Sequence, residues 1–313
     1  MIKVGAINID VSHPFDFCNV LKQEERARYV AVYNDGFRGE DEVEAFAKAN
    51  DLTICKSLDE LADIVDIGFV HSCNWDKHLD YAKPFIKKGK PVFIDKPVVG
   101  NMKQIEELRC LFDNGAKIIG TSALRYCEEV VRVQEKMKEN NVSPMHTVVT
   151  VGLDEFNYAV HAAEMICGIH SAKPVSCQHM FTSANGGVKC DTYLVKFEDG
   201  STAQYICVDK RFAKFNTIVL AGSKKFSHDF CFTVDAANLY RTLLARVCDY
   251  MEGKGNTLET CDEMCDAIKI MLAGKASLEN GDIEIPLDSK MLWDTSFDGY
   301  KFEEEYAANA KKR

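Results

Sequence analysis

The chain has 313 residues, 46% of them hydrophobic, which is more than one small domain needs and enough for two cores. Its net charge of -10 argues against a broad basic face for nucleic acid, and no apolar run is long enough to span a membrane. The thirteen cysteines are scattered, odd in number and without zinc-ribbon or zinc-finger spacing, so neither a disulfide scaffold nor a metal is expected.

The opening MIKVGAINID reads as a strand rather than a signal peptide, and a reduced cytoplasmic interior is the expectation. Ser12-His13-Pro14 has the form of a helix start, followed by about ten helical residues with Phe17, Val20 and Leu21 on one face. Then come a strand at 29-YVAVYND-35, a helix at 40-EDEVEAFAKAN-50 and a short strand at 53-TICK-56. A helix at 58-LDELADI-64, a strand at 65-VDIGFVH-71, a helix over 76–90 interrupted near Pro84, and the strand 91-PVFID-95 follow. This alternation leaves room only for right-handed crossovers and predicts a doubly wound parallel sheet over residues 1–120. Ligands of such sheets sit outside the carboxyl ends of the strands, where this chain carries Asn8, Asn34, Asp35, His71, Ser72, Cys73, Asn74, Asp95 and Lys96.

After helix 103–115 and strand 117–122 the texture changes, because strands now follow strands at 146–152, 188–200, 202–210 and 216–222. Asp199-Gly200 between two alternating segments is a hairpin signal. Helices return at 236–253 and 259–281, where Cys261 and Cys265 share a helical pattern, and the chain closes on a charged tail, 303-EEEYAANAKKR-313. Residues 121–313 are expected to form a mostly antiparallel open sheet with helices on one face.

The run 65-VDIGFVHSCNWDKHLDYAKPFIKKGKPVFIDKPVVGN-101 resembles the glucose-fructose oxidoreductase / inositol dehydrogenase (Gfo/Idh/MocA) family, with Asp95 in place of the glutamate of its Glu-Lys-Pro signature. The later segments 183-SANGGVKCDTYLVKFEDGSTAQYICV-208, 219-VLAGSKKF-226 and 282-DIEIPLD-288 extend the likeness over nearly the whole chain. The resemblance implies a Rossmann-type domain at 1–120 and a substrate-binding and oligomerisation domain at 121–313. It implies hydride exchange between a nicotinamide, NAD or NADP, and a sugar, polyol or similar carbinol or ketone, in a homodimer or homotetramer. By position, Lys96 matches the family lysine, His161 the histidine acid or base, and Arg125 an arginine near the substrate, with Tyr158 beside it. The cofactor would be met by Asn8, Ile9, Ser12, His13, Asn34, Asp35, Ser72, Cys73, Asn74, His78, Asp95 and Lys96.

The chemistry suits these groups on its own terms. A hydroxyl loses its proton as hydride leaves, an imidazole is a suitable base, and an ammonium stabilises the developing alkoxide. Two departures weigh against catalysis. At the glycine positions of G-x-G-x-x-G stand Asn8, Asp10 and His13, and Asp10 brings a negative charge to the place of the phosphates. Asn157 replaces the aspartate four residues before His161, leaving Asn157, Asp154 or Tyr158 to orient the ring. The alternative is a catalytically degenerate member that acts as a small-molecule sensor or binding protein.

Overall fold

The structure is a computed structural model describing residues 1–223 and 227–310; residues 224–226 of the VLAGSKKF segment and 311–313 of the charged tail lie outside the described residues. Two compact units emerge. One comprises residues 1–121, 243–261 and 298–313, the other residues 122–242 and 262–297. Two later segments thus join the first unit, where the sequence suggests a single division near 120.

In the first unit, strands β1 (Ile2–Ile7), β2 (Ala27–Tyr33), β3 (Thr53–Ile54), β4 (Ile67–Val70), β5 (Val92–Ile94) and β6 (Ile118–Ile119) alternate with helices. The helices are α1 (His13–Glu24), α2 (Glu40–Asn50), α3 (Leu58–Ile64), α4 (His78–Lys87) and α5 (Met102–Asp113). The six strands pair in the order β3-β2-β1-β4-β5-β6, all parallel, which is the dinucleotide-fold order with its topological switch between β1 and β4. β4 and β5 are wholly buried and accordingly apolar, as strands covered on both faces must be. Phe17 of α1 packs edge-on against Phe69 and Phe93 of the sheet. Gly68 is required in β4, since a Cβ there would lie 2.5 Å from the Phe85 ring.

Two expectations are corrected. Pro84 lies inside α4 without interrupting it. Leu79, Tyr81, Ala82 and Phe85 are buried on either side of it, and this packing offsets the proline's lost hydrogen bond. The charged tail is mostly a helix, given below as α10, and it belongs to the first unit.

The second unit starts with α6 (Glu128–Asn140), β7 (Ser143–Leu153) and α7 (Ala159–Ile169), followed by β8 (Pro174–Asn185), β9 (Val188–Phe197), β10 (Thr202–Asp209), β11 (Asn216–Gly222) and β12 (Ser227–Thr233). The second unit continues with α9 (Cys261–Glu279) and β13 (Ile285–Pro286), whereas α8 (Arg241–Met251), for the most part, and α10 (Gly299–Ala310), which ends the described chain, belong to the first. The seven strands run β12-β11-β7-β10-β9-β8-β13, antiparallel except for the β7–β10 pair. Thr147, Val149, Val151, Ala203, Tyr205 and Cys207 alternate inward, and α7 packs on β7 and β10. Among the described residues no helix is long and apolar enough to cross a membrane.

Candidate active site

The turn after β1 meets the demands on the fingerprint glycines with other residues. Asn8 takes the left-handed conformation, φ 64°, that the first position needs, and asparagine is among the few side chains that do so at low cost. Its amide donates to the Tyr81 hydroxyl at 3.1 Å, and its Oδ1 accepts the Asp35 N–H at 3.0 Å. Asn34 Oδ1 in turn accepts the Ile9 N–H at 3.1 Å. The carboxylate of Asp35, at the end of β2, is held by the Tyr81 hydroxyl at 2.6 Å and the Tyr33 hydroxyl at 3.3 Å.

Asp10 is withdrawn from solvent. Its carboxylate turns into the unit, fully buried, and Oδ2 accepts the Ser72 hydroxyl at 3.3 Å and the Cys73 N–H at 3.1 Å. Its other oxygen lies against Gly36, where a Cβ would come within 2.0 Å of it, so any side chain at 36 would expel the carboxyl. The Cys73 thiol and the Glu303 carboxylate of α10 crowd the same spot, with potential ligand atoms within 4.8 Å of one another. Burial, together with the Glu303 charge, raises the Asp10 pKa to about 6, and burial raises that of Cys73. Glu303 itself is tied to Asn74 at 2.9 Å and Lys77 at 3.1 Å, while Phe302 packs on Trp75 and Tyr306 on Phe37.

Asp10 therefore carries a stability prediction. A carboxyl protonated up to about pH 6 when folded but only to 3.8 when unfolded loses stability as pH rises through that window, by about 3 kcal/mol. Asp10→Asn, which keeps the acceptor for Cys73, is expected to exceed the parent's stability by up to that amount at pH 7 and by nothing near pH 4. Urea unfolding of both proteins at the two pH values checks this.

Around the end of β5 the polar residues converge. Asp95 is buried, its Oδ2 lies 2.6 Å from His13 Nδ1 and 3.1 Å from His71 Nδ1, and its Oδ1 accepts the Lys96 N–H at 2.8 Å. Burial alone would raise the Asp95 carboxyl, but the two imidazoles outweigh it and hold the group well below the usual carboxylate range. The His13 side chain is thus engaged with Asp95, and Ser12 stands at the N-cap of α1 without forming a side-chain cap. His78, expected to meet the cofactor, is instead fully buried between the Ser72 carbonyl at 2.9 Å and the Val98 carbonyl at 3.3 Å. Trp75 and Ala82, about one turn away on either side, are buried as well, so the histidine lies on the inward face. Lys96 is itself only 8% exposed, a placement that a solvated surface lysine would not have.

In the second unit, His161 sits in the first turn of α7, a helix apolar nearly all round and therefore buried. Its Nδ1 is 2.7 Å from the Ser122 hydroxyl, which also accepts the Leu124 N–H at 3.2 Å, and the Tyr158 ring meets it edge-on. Asp154 spends its Oδ1 on the N–H groups of Phe156 and Tyr158, ahead of α7, and Asn157 is buried beside them. Ser122 escaped the sequence reading, for its only local signal is that it precedes a short helical turn. Arg125 donates from Nε to Glu164 at 2.9 Å, with both side chains buried. Glu164 was missed as well, though an acid inside the apolar run AVHAAEMICGI was a signal for it.

Residues 13–121 match the family model described as oxidoreductase family, NAD-binding Rossmann fold (GFO_IDH_MocA). Over this stretch the chain is similar to the Gfo/Idh/MocA family. The match begins at His13, the last position of the altered turn. No curated protein sequence matches the chain. Among solved structures, a scyllo-inositol dehydrogenase from Lactobacillus casei superposes with a TM-score of 0.77 at 12% identity, over 92% of this chain and 99% of that one. A myo-inositol dehydrogenase from the same organism, in complex with NAD(H) and myo-inositol, gives 0.75 at 13%, over 92% and 97%. A UDP-N-acetylglucosamine 3-dehydrogenase from Acidithiobacillus ferrooxidans gives 0.72 at 10%, over 89% and 98%. At these identities the likeness is one of fold. The residues at the carboxyl ends of β1 and β2 are compatible with a dinucleotide: the turn keeps a left-handed residue, the Asp10 carboxyl is buried, and Asp35 stands at the end of β2, the place from which dinucleotide folds offer an acid to a ribose hydroxyl.

Proposed function

We propose that this protein is an NAD(P)-dependent dehydrogenase or reductase of a sugar, polyol or similar small carbinol or ketone. The observation that supports it most is Lys96 at the ligand end of a buried strand, nearly removed from water, with its backbone tied to the Asp95 carboxylate. Asp35 would hold the adenosine ribose, and Asn8, Ile9 and Ser12 would line the pyrophosphate. When bound, the nicotinamide supplies the hydride acceptor or donor. Lys96 stabilises the alkoxide as the substrate hydroxyl ionises, and His161, oriented by Ser122, takes up its proton. Tyr158 and Arg125 border the substrate in this reading.

Calorimetry with NADH and NADPH tests it. Binding is expected, weaker than a glycine fingerprint allows, and several-fold tighter in Asp10→Asn, where the buried charge is gone. No binding by either protein at millimolar nucleotide would remove the basis for an oxidoreductase and favour the sensor reading, which draws on Asp10 and Asn157.

We also propose that the protein is a homodimer or homotetramer assembled through the open face of the second sheet. Met145, Ile218 and Leu220 stand exposed on neighbouring strands β7 and β11 of that face. Sedimentation at micromolar concentration should show the oligomer, and a monomer alone would refute it.

A further inference from the structure

One array in the first unit reaches from α1 to β2 through Asp95. A carboxylate only accepts hydrogen bonds, so the Nδ1 atoms of His13 and His71 that face Asp95 Oδ2, at 2.6 and 3.1 Å, carry protons. His71 Nε2, 2.7 Å from the Tyr29 hydroxyl, then accepts a hydrogen bond from it, which fixes the ring in one tautomer; burial lowers the pKa of His71 and keeps it neutral. Oδ1 takes the Lys96 N–H at 2.8 Å. Each oxygen of this buried carboxylate thus has a donor. His13 is the only one of the ring donors that comes from the altered turn, at the place of the third fingerprint glycine, and its ring stacks on Phe17 at 5.6 Å.

We infer that His13 is a positioning residue for Lys96. Its imidazole holds the Asp95 carboxylate, and Asp95 fixes the backbone from which the lysine side chain projects. The third glycine of a dinucleotide turn lets helix and strand approach closely. In this chain a side chain fills that gap and reaches the end of β5 instead, so that the departure from the fingerprint becomes a support for the lysine. The consequence for catalysis rests on the proposed role of Lys96; the positioning itself does not.

The test separates the ring's shape from its hydrogen bond. His13→Phe keeps the stack on Phe17 and loses the donor, whereas His13→Asn keeps a donor at nearly the same place. In denaturant unfolding, a double-mutant cycle of His13→Phe with Asp95→Asn should show a coupling of roughly tenfold in the unfolding equilibrium, and additive effects would overturn the inference. Acetylation of the Lys96 amine, followed by mass spectrometry, should run several-fold faster in His13→Phe and return toward the parent rate in His13→Asn. Equal rates in all three proteins would also overturn it. In the unmodified protein, a slowly exchanging low-field ring N–H proton of His13 should be seen by NMR and vanish in Asp95→Asn, a reading that needs no variant of His13 to fold. These readouts are independent of turnover: a held lysine without nucleotide binding would sink the oxidoreductase reading alone, and a loose lysine in an active enzyme would sink this inference alone.

Discussion

Replacing Lys96 with methionine is expected to leave a folded protein that has lost between a hundred- and a thousand-fold of its turnover. Methionine roughly keeps the volume of the stem, and the contact that anchors this position, the Lys96 N–H to Asp95, belongs to the backbone and survives the change. What disappears is the ammonium that the proposed function sets against the developing alkoxide. Deleting one donor from an oxyanion site costs about 2.7 to 4 kcal/mol of transition-state stabilisation, which is the stated loss in rate. The paired variant His161→Ala should also slow turnover, and its remaining rate should lose the pH dependence of an imidazole base. Thermal unfolding measured alongside separates chemistry from stability. Unchanged turnover in a folded Lys96→Met protein would make the lysine a bystander.

Arg125→Met should be among the most destabilising single changes in the second unit, by about 3 to 5 kcal/mol, because it removes the guanidinium paired with a buried carboxylate. Glu164 is 1% exposed on α7, and Arg125 Nε at 2.9 Å is its cation. Glu263 lies farther off, 3.8 Å from the guanidinium, and is half-exposed, so water relieves it in a way that Glu164 cannot share. The double change Arg125→Met with Glu164→Leu removes both charges and should recover most of the loss, since a well-packed apolar pair can replace a buried ion pair at little cost. Denaturant midpoints for the two singles and the double decide the matter. Additive losses would show that the arginine stabilises the unit through other contacts. Any loss of substrate binding in Arg125→Met can be assigned only after this correction.

The alternation of strand and helix through residue 119, the Asp199-Gly200 hairpin between β9 and β10, and the place of Lys96 at the end of a buried strand were all legible in the sequence. Each depends on local pattern: apolar periodicity, turn residues with special backbone freedom, and a polar group closing an apolar run. Elements lacking such a pattern were missed. β8 is exposed over its second half and does not alternate there, and β12 lies at the sheet edge with alternate residues exposed, so neither carries a strong strand signal. The tail read as charge alone, yet Phe302 and Tyr306 find Trp75 and Phe37, and that packing makes it a helix of the first unit.

The candidate site divides along the same line. The sequence by itself determined which residue types stand at the strand ends and that the glycine fingerprint is absent. Only the tertiary structure decided what they do with one another: His13 meets Asp95 across 82 residues, while Ser122 meets His161, and Arg125 meets Glu164, across 39. It also turned Asp10 inward, onto the Cys73 N–H. The physical reason is that a hydrogen bond between distant residues follows from how the closed chain brings them together, and no periodicity in either segment encodes it.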